Sequence, residues 1–540
     1  DGIKLVMHNA PFDLKVLYKY GFEPKEVFCT LTGAKLVDEN RTKQQGYGLK
    51  ALASDWLGVK VTHYEEICTN NTTQKFFDYA IDDAVNTWNL YKLEIERLKE
   101  DDLMYLVETI EMPFQFVLRN MEINGVRINL NTLERFYHDC QIAIRNLESD
   151  LLAIFGKKHS IESDLWGNKN YIASINFNAY QHVLRCVESL GFIVDEFTKK
   201  GNPSVGKTYL TKMKDKHPFF AKLFAYKKLR KLYNSFLEPS FDYIDMDGRI
   251  RTNYSMVRTG RLSCYKPNLQ QLPNPKKERL MFNYRDIIIP SEGKVFVKAD
   301  YSGQELRNLA EVSKDKAMCA AFQKGYDLHL FTGNRVFNLG LSEDAFIDGS
   351  EAHKKACEEF KAKRHQAKNG VNFPVVYGAG AKKIAESNSV TVEEAQRWLD
   401  EFNVLYPGVL PWKERVKTNV GRNGYTTTLF GRRRRFPGYK MGVKGGPKYW
   451  ENLRMERQAA NFEIQGFSAD QMKIAAVTIR QYEVDFDAKL VMSVHDELVW
   501  ELPKDKAEEF SKRIKYTMEH VVALSVPMIV EVKIVESYGQ

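Results

Sequence analysis

The sequence predicts an α/β chain folded as several domains, and three observations lead there. Its 540 residues and 62.5 kDa suffice for roughly three or four compact domains. Hydrophobic residues make up 44%, ample for packed cores, yet no apolar run reaches the roughly 18 residues of a membrane span. Short strand-like runs alternate with helical patterns, and two of these regions place a carboxylate at a strand end: FVKADYS (296–302) and KLVMSVHDELVWEL (489–502). A membrane protein, a disordered chain and a fibrous chain are thereby set aside. With 79 Lys and Arg against 70 Asp and Glu, the net charge is +9, which would not repel an acidic partner.

Residues 1–98 mix IKLVMH with helical stretches such as DYAIDDAVNTWNLYKLEIERL, an α/β domain in outline. Residues 102–155 read as long amphipathic helices broken by the turn signal NGVRIN, and 157–205 as irregular. From Lys199 to Lys231 there are 11 Lys or Arg and one acid, Asp215, with Tyr209, Phe219, Phe220, Phe224 and Tyr226 interleaved. Two readings stand: a solvated helix face, or a surface that grips a phosphate backbone. Beyond 280, strands and helices alternate, 343–370 is helical and charged, and GVKGGPK (442–448) is a basic glycine-rich loop. Arg432–Arg435, four consecutive arginines, are expected to contact nucleic acid.

The seven cysteines, at 29, 68, 140, 186, 264, 319 and 357, include no CxxC. A disulfide framework or a cysteine zinc site is not expected, and a reducing, intracellular compartment is. The chain starts at Asp1 with no visible signal peptide, and its true N-terminus is expected to lie upstream.

Asp300 ends one hydrophobic strand, and Asp496, in His495-Asp496-Glu497, lies in a turn between two others. A carboxylate at the end of a buried strand is costly unless paired or bound to metal. Each could be an ordinary strand-end aspartate. The chemical reading is two Mg²⁺ ions, which favour a few carboxylates plus water and phosphate oxygens. Arg364 and Lys368 are four apart and share a helix face, with Lys354, Lys355, Lys361 and Lys363 upstream. Such a pair is either a solvated face or a triphosphate clamp. Phe373 and Tyr377, again four apart, are core residues or a platform for sugar and base.

Together these residues resemble the family A DNA polymerases of the bacterial DNA polymerase I type. DYSGQELR (300–307), RHQAKNGVNFPVVYG (364–378) and VHDELV (494–499) resemble its three polymerase motifs. TGRLSCYKPNLQQLP (259–273), DLHLFTG (327–333) and ERQAANFEIQGFSAD (456–470) resemble three further segments, giving six ordered matches over about 240 residues. The resemblance implies a right-hand polymerase of palm, fingers and thumb behind a partial ribonuclease H-like 3′–5′ exonuclease domain. The implied boundaries are 1–100 exonuclease-like, 101–250 thumb and connecting helices, 251–310 and 421–540 palm, and 311–420 fingers.

It also implies roles. Asp300 and Asp496, with the carbonyl of Tyr301, would hold two Mg²⁺, for which Mn²⁺ can substitute, and Glu497 would be an acidic neighbour. Glu305 would be a steric gate against a 2′-hydroxyl. His329, Arg364 and Lys368 would bind the triphosphate, Phe373 the sugar, and Tyr377 would sit near the template base. Arg261, Asn268, Gln270, Arg457, Asn461, Gln465 and His495 would line primer–template DNA. The implied partners are that DNA and dNTPs, with no membrane and a monomeric chain.

Two departures stand out. Ser302-Gly303-Gln304-Glu305 replaces the usual Ser-Gln-Ile-Glu, so the family's Gln role is assigned to neither Gly303 nor Gln304. Lys368 and Phe373 are five apart where the family has four, and Pro374 follows Phe373. Because a mid-helix proline clashes with the carbonyl four residues back, a π-bulge around 369–372 is expected to absorb the extra residue.

In the N-terminal region, Asn9-Ala-Pro-Phe-Asp13 resembles the second exonuclease motif, and Tyr79-Ala-Ile-Asp82-Asp83 the third. No first motif, Asp-x-Glu, precedes Asn9, so proofreading is expected to be absent or weak in this chain. The competing readings are a single-subunit RNA polymerase, opposed by Glu305 and TGRLS, and a catalytically silent primer–template binder, opposed by the intact Asp300 and Asp496.

Overall fold

The computed structural model describes residues 3–66, 74–155, 161–163, 169–171, 175–198, 200–273 and 282–540. They separate into two compact units. One comprises Asp1–Asn124, Asn253–Tyr265 and Gly293–Val535, the other Gly125–Thr252, Lys266–Glu292 and Glu536–Gln540.

In the first unit, β1 (Lys4–Met7) runs parallel to β2 (Glu26–Cys29). A parallel pair needs a crossover, and α1 (Ala10–Lys19) lies on it. α2 (Thr30–Val37) packs against α3 (Gln74–Glu100). The approach is so close that a Cβ on Gly33 would lie 2.2 Å from Glu94 Oε2.

Glu94 is fully buried, and neither carboxylate oxygen has a hydrogen-bond partner among the described residues. Burial pushes its carboxyl well above the usual range, with Arg97 only partly opposing. The folded chain therefore keeps a proton that the unfolded chain releases above about pH 4.3. A raised carboxyl pKa makes stability decline as pH rises from that value towards the folded pKa. Glu94→Met is expected to flatten this decline and to add about 1–3 kcal/mol at neutral pH. Urea melts at acidic and neutral pH check both effects.

A four-stranded antiparallel sheet forms the second layer of this unit. β3 (Lys294–Tyr301), β4 (Lys489–Val494), β5 (Glu497–Pro503) and β6 (Val530–Val535) lie in the order β4-β5-β3-β6. The strand-turn-strand expected at 489–502 is present. Helices α4 (Gln304–Ser313), α5 (Leu328–Phe337), α6 (Glu351–Glu359), α7 (Lys361–Gln366) and α8 (Phe373–Val376) follow β3 in sequence. Their core includes Leu330, Val336, Trp398, Phe402, Tyr406 and Trp412. The 41-residue α9 (Gly446–Phe486) packs against α4.

The four arginines correct a sequence expectation. Arg432 is 2% exposed and donates to Asp470 and Glu111, while Lys473 donates to Glu111 at 2.6 Å. Burial alone would raise the Glu111 carboxyl, but Lys473 and Arg432 hold it at about 2. Arg433 pairs with Asp101 at 2.6 Å, and Arg435 with Glu39 at 2.8 Å and also with Asp101. Arg434 reaches Gln458 at 3.4 Å. Arg432 is therefore an intramolecular tie rather than a nucleic-acid contact, while Arg433, Arg434 and Arg435 are tied within the chain and partly exposed. The acidic partners sit far off in sequence, Asp470 38 residues from Arg432 and Glu39, Asp101 and Glu111 more than 300 from the arginines they meet, where spacing cannot reveal them.

In the second unit, strands Arg249–Ile250, Val126–Ile128 and Ile288–Ile289 form an antiparallel sheet in that order. Helix Leu130–Ile154 packs on helix Pro218–Leu232. Tyr209, Phe219, Phe220 and Tyr226 are buried and belong to the core, whereas Phe224 is partly exposed. Lys212, Lys222 and Arg230 pair with Asp195, Asp150 and Glu148. Lys199 lies outside the described residues. Asn268 caps the turn Leu269–Gln271, accepting from Gln270 N at 3.1 Å.

The six described cysteines are free, and Cys68 lies outside the described residues. Among the described residues, no helix is long and apolar enough to cross a membrane.

Candidate active site

The β3 register sets Asp300 opposite Glu497 on one side and Glu531 on the other. Val297, Ala299 and Tyr301 point into the core, so the pleat turns Asp300 out to solvent. Asp496 lies in the turn between β4 and β5. His495 closes that turn in the left-handed region, at φ 57°, where a side chain is uncommon. Tyr301 N donates to Asp496 O at 3.4 Å, tying the two carboxylate segments together. Partial burial, then the charges of Glu497, Asp496 and Glu531, push Asp300 up to about 7. Burial also raises Asp496, with Arg261 opposing and Glu305 adding. Acidic oxygens that repel one another in this way fit a hard divalent cation such as Mg²⁺.

Arg261 follows a turn between the paired strands Asn253–Met256 and Leu262–Tyr265. Its Nη2 reaches Glu305 Oε1 at 2.7 Å and Asp496 Oδ1 at 3.3 Å. Glu305 lies in the first turn of α4 and is 8% exposed. The Tyr377 hydroxyl donates to its other oxygen. Gln465 of α9 also hydrogen-bonds Tyr377, whose hydroxyl is pushed up chiefly by burial. Gln304 faces away from this cluster. It is buried against α9, donating to Gln471 Oε1 at 3.1 Å beside Asn308, which donates to Ser468 and Gln471.

The cationic helix contains the expected irregularity. Residues Ala367–Asn372 form a π-helical turn between α7 and α8, beginning two residues earlier than the sequence suggests. Phe373 N donates to Lys368 O, five residues back. Pro374 has no N–H for the Gly370 carbonyl, and Asn388 Nδ2 takes that place at 3.2 Å. A Cβ on Gly370 would lie 2.0 Å from Asn388 Oδ1, so glycine permits the approach. Past the wide turn, Phe373 and Tyr377 stack with centroids 6.3 Å apart. Lys368 Nζ lies 6.0 Å from the Phe373 ring centroid.

Arg364 donates to Asp327 Oδ2, and Asp327 Oδ1 caps α5 by accepting from His329 N at 2.9 Å. His329 is buried, which lowers its ring to about 4 against the pull of Asp327. The ring is neutral near pH 7. Asn372 Nδ2 lies 3.0 Å from its Nδ1, which leaves the proton on Nε2 as a donor. Asp327 and Asn372 are the site residues that sequence reasoning missed. An aspartate just before a helix carries the cap signal, whereas Asn372 had none.

Arg457, Asn461 and Gln465 follow one another at four-residue spacing on α9 and share a face. Arg457 lies against Gly378, where a Cβ would come within 2.6 Å of its side chain. Asn461 Oδ1 is buried without a partner among the described residues. Asn268 and Gln270 belong to the second unit.

In the N-terminal region, Asn9 stands just before α1 at φ 66° without a side-chain cap bond, and Asp13 lies in the helix's first turn, its carboxyl raised by burial. Asp83 pairs with Lys50, whose ammonium also lies 3.9 Å from the Tyr79 ring centroid.

The chain is similar to DNA polymerase I of Treponema pallidum (strain Nichols), 28% identical over 552 residues, covering 100% of this chain and 51% of the relative. It is 32% identical over 445 residues to the thermostable DNA polymerase I of Thermus aquaticus, covering 81% of this chain and 49% of that one. The chain thus spans about half the length of these curated relatives. Among solved structures it resembles the POL domain of Pol1 from M. smegmatis in complex with DNA primer-template and dNTP. That match has a TM-score of 0.81 and 25% identity, and covers 99% of this chain and 86% of the other. The right-hand fold expected from the sequence is therefore the fold of this chain. A model of the 3′-5′ exonuclease family matches residues 1–95 and one of DNA polymerase family A matches residues 132–540; the chain belongs to family A of the DNA polymerases.

Proposed function

We propose that this chain is a template-directed DNA polymerase that adds dNTPs to a primer 3′-hydroxyl. The observation that carries this reading is the unbroken set of contacts Asp496–Arg261–Glu305–Tyr377–Gln465. It joins a strand-turn carboxylate to the aromatic end of the cationic helix and to α9. The solved relative in complex with primer-template and dNTP agrees with this choice of partners.

Asp300, Asp496 and the carbonyl of Tyr301 would hold two Mg²⁺, with Mn²⁺ as a substitute and Glu497 beside them. When bound, the ions supply activation of the attacking hydroxyl and neutralisation of the leaving pyrophosphate. Arg364 and Lys368 bind the triphosphate as cations, and neutral His329 adds an N–H donor. Glu305, held at both oxygens, occupies the space of a 2′-hydroxyl. Phe373 supports the sugar, and Tyr377 marks the base-pairing end. Arg261, Arg457, Asn461, Gln465 and His495 line primer–template DNA, and Asn268 and Gln270 keep that role within the second unit. Residues 251–310 and 421–540 serve as palm, 311–420 as fingers, 101–250 as thumb with connecting helices, and 1–100 as the exonuclease-like part.

The test is extension of a 5′-labelled primer on a DNA template with Mg²⁺ and either dNTPs or NTPs. Extension by dNTPs alone supports the proposal. Extension by NTPs instead would favour an RNA polymerase, and duplex binding without extension a silent binder. Glu305→Ala is expected to shift the NTP-to-dNTP preference by about 10- to 100-fold towards NTPs. Its dNTP rate also falls, because Arg261 and Tyr377 lose their shared anchor.

Proofreading is weak in this reading. A cation at Asp83 must first displace Lys50 from its carboxylate. Efficient Mg²⁺-dependent removal of a 3′ mismatch by this chain would overturn that part.

A further inference from the structure

Asp327, the partner of Arg364, also belongs to a second constellation, whose other two members the polymerase reading does not use. His353 and Cys357 are four apart on α6 and share a face. His353 Nε2 is 3.2 Å from Asp327 Oδ2 and 3.2 Å from Cys357 Sγ. All three ligand atoms lie within 4.8 Å of one another. Zinc bond lengths of roughly 2.0–2.3 Å in a tetrahedron give ligand–ligand edges of about 3.3–3.6 Å. The two shortest edges here are within a few tenths of an ångström of that. The other ring nitrogen, Nδ1, accepts from Gly349 N at 3.2 Å, and the Asp348 carboxylate lies 3.5 Å from it. A carboxylate on the far nitrogen is the partner a metal-bound histidine commonly has. Asp327 and His353 are buried and Cys357 is half-exposed, so the site is reached from solvent on the Cys357 side.

We propose that Asp327, His353 and Cys357 form a binding site for a thiophilic divalent cation of the Zn²⁺ class. Binding replaces the thiol proton of Cys357, released to solvent, with an S–metal bond. The ring proton of His353 moves from Nε2 to Nδ1, where the Asp348 carboxylate accepts it and the hydrogen bond from Gly349 N–H is given up, and this frees Nε2 for the metal. Asp327 Oδ2 is also the oxygen that holds Arg364. Metal and guanidinium compete for it, so occupancy loosens Arg364. This second step rests on the proposed triphosphate role of Arg364, whereas the site itself does not.

The full chain, freed of metal with a chelator, is titrated with Co²⁺ as a spectroscopic stand-in for Zn²⁺. A near-ultraviolet thiolate-to-cobalt band is expected, absent from Cys357→Ser and His353→Asn. Asp348→Asn should weaken binding by about 10- to 100-fold. Melting curves in chelator confirm that each variant is folded. Oxygen-only sites such as Asp300 and Asp496 give no such band, so they do not mimic the signal. A missing band in the wild type, or one that persists in folded Cys357→Ser and His353→Asn, overturns the site. In primer extension at fixed Mg²⁺, Zn²⁺ is expected to raise the dNTP KM of the wild type but not of Cys357→Ser. Binding with an unchanged KM would overturn the coupling to Arg364. Failure of all extension would count against the polymerase reading and leave the cobalt result standing.

Discussion

Asparagine at Asp300 or Asp496 is expected to lower the primer-extension rate by about 10²–10³-fold or more, with duplex binding retained. The geometry adds a second, opposite expectation. Asp300 stands between Glu497 and Glu531 in register, and those carboxylates help push its proton affinity up to about 7. Removing its charge relieves that repulsion. Asp300→Asn should therefore melt no lower than the wild type in chelator, and the wild type alone should gain stability when Mg²⁺ is added. A loss of activity caused by misfolding would show the reverse pattern. Full extension by either variant would end the metal-site assignment.

The second large effect falls on stability. Arg432→Met is expected to destabilise the chain by about 3–5 kcal/mol, because it strips one partner from a buried charge cluster. Glu111 and Asp470 would be left with Lys473 as the only cation of the cluster. Denaturant unfolding followed by tryptophan fluorescence measures this. Duplex affinity, assayed well below the lowered midpoint, should not change, because Arg432 has almost no exposed surface. A large loss of affinity in the folded variant would restore the nucleic-acid reading of Arg432.

Legibility in the sequence followed the range of the interactions. The strand ending at Asp300 and the strand-turn-strand around Asp496 were visible because an apolar run interrupted by a carboxylate is a local pattern. The π-helical turn was visible because one surplus residue and Pro374 pose a local steric problem with few solutions. Arg432 misled because a cation in a basic run looks the same whether it meets solvent or the buried Glu111 and Asp470. The place of Tyr209, Phe219, Phe220 and Tyr226 in the core was hidden for a related reason. They lie on two helices, Lys207–Met213 and Pro218–Leu232, whose interleaved lysines make buried aromatics look like part of a basic surface. Asn372 and Asn388 could not be read at all, since their roles depend on what the wide turn brings near them.

The wide turn at Ala367–Asn372 also bears on how distances along a chain are to be counted. A residue added to a regular helix rotates everything beyond it by about 100°. Here the addition is confined to one loop of backbone. Recognition of such a helix is therefore a matter of angular phase rather than of tally. Two chains can differ in length between their cationic and aromatic residues and still offer the same face to a nucleotide. Alignments that penalise a gap at this position would misplace the ligands, and libraries that vary the length of this loop could explore function without moving either end.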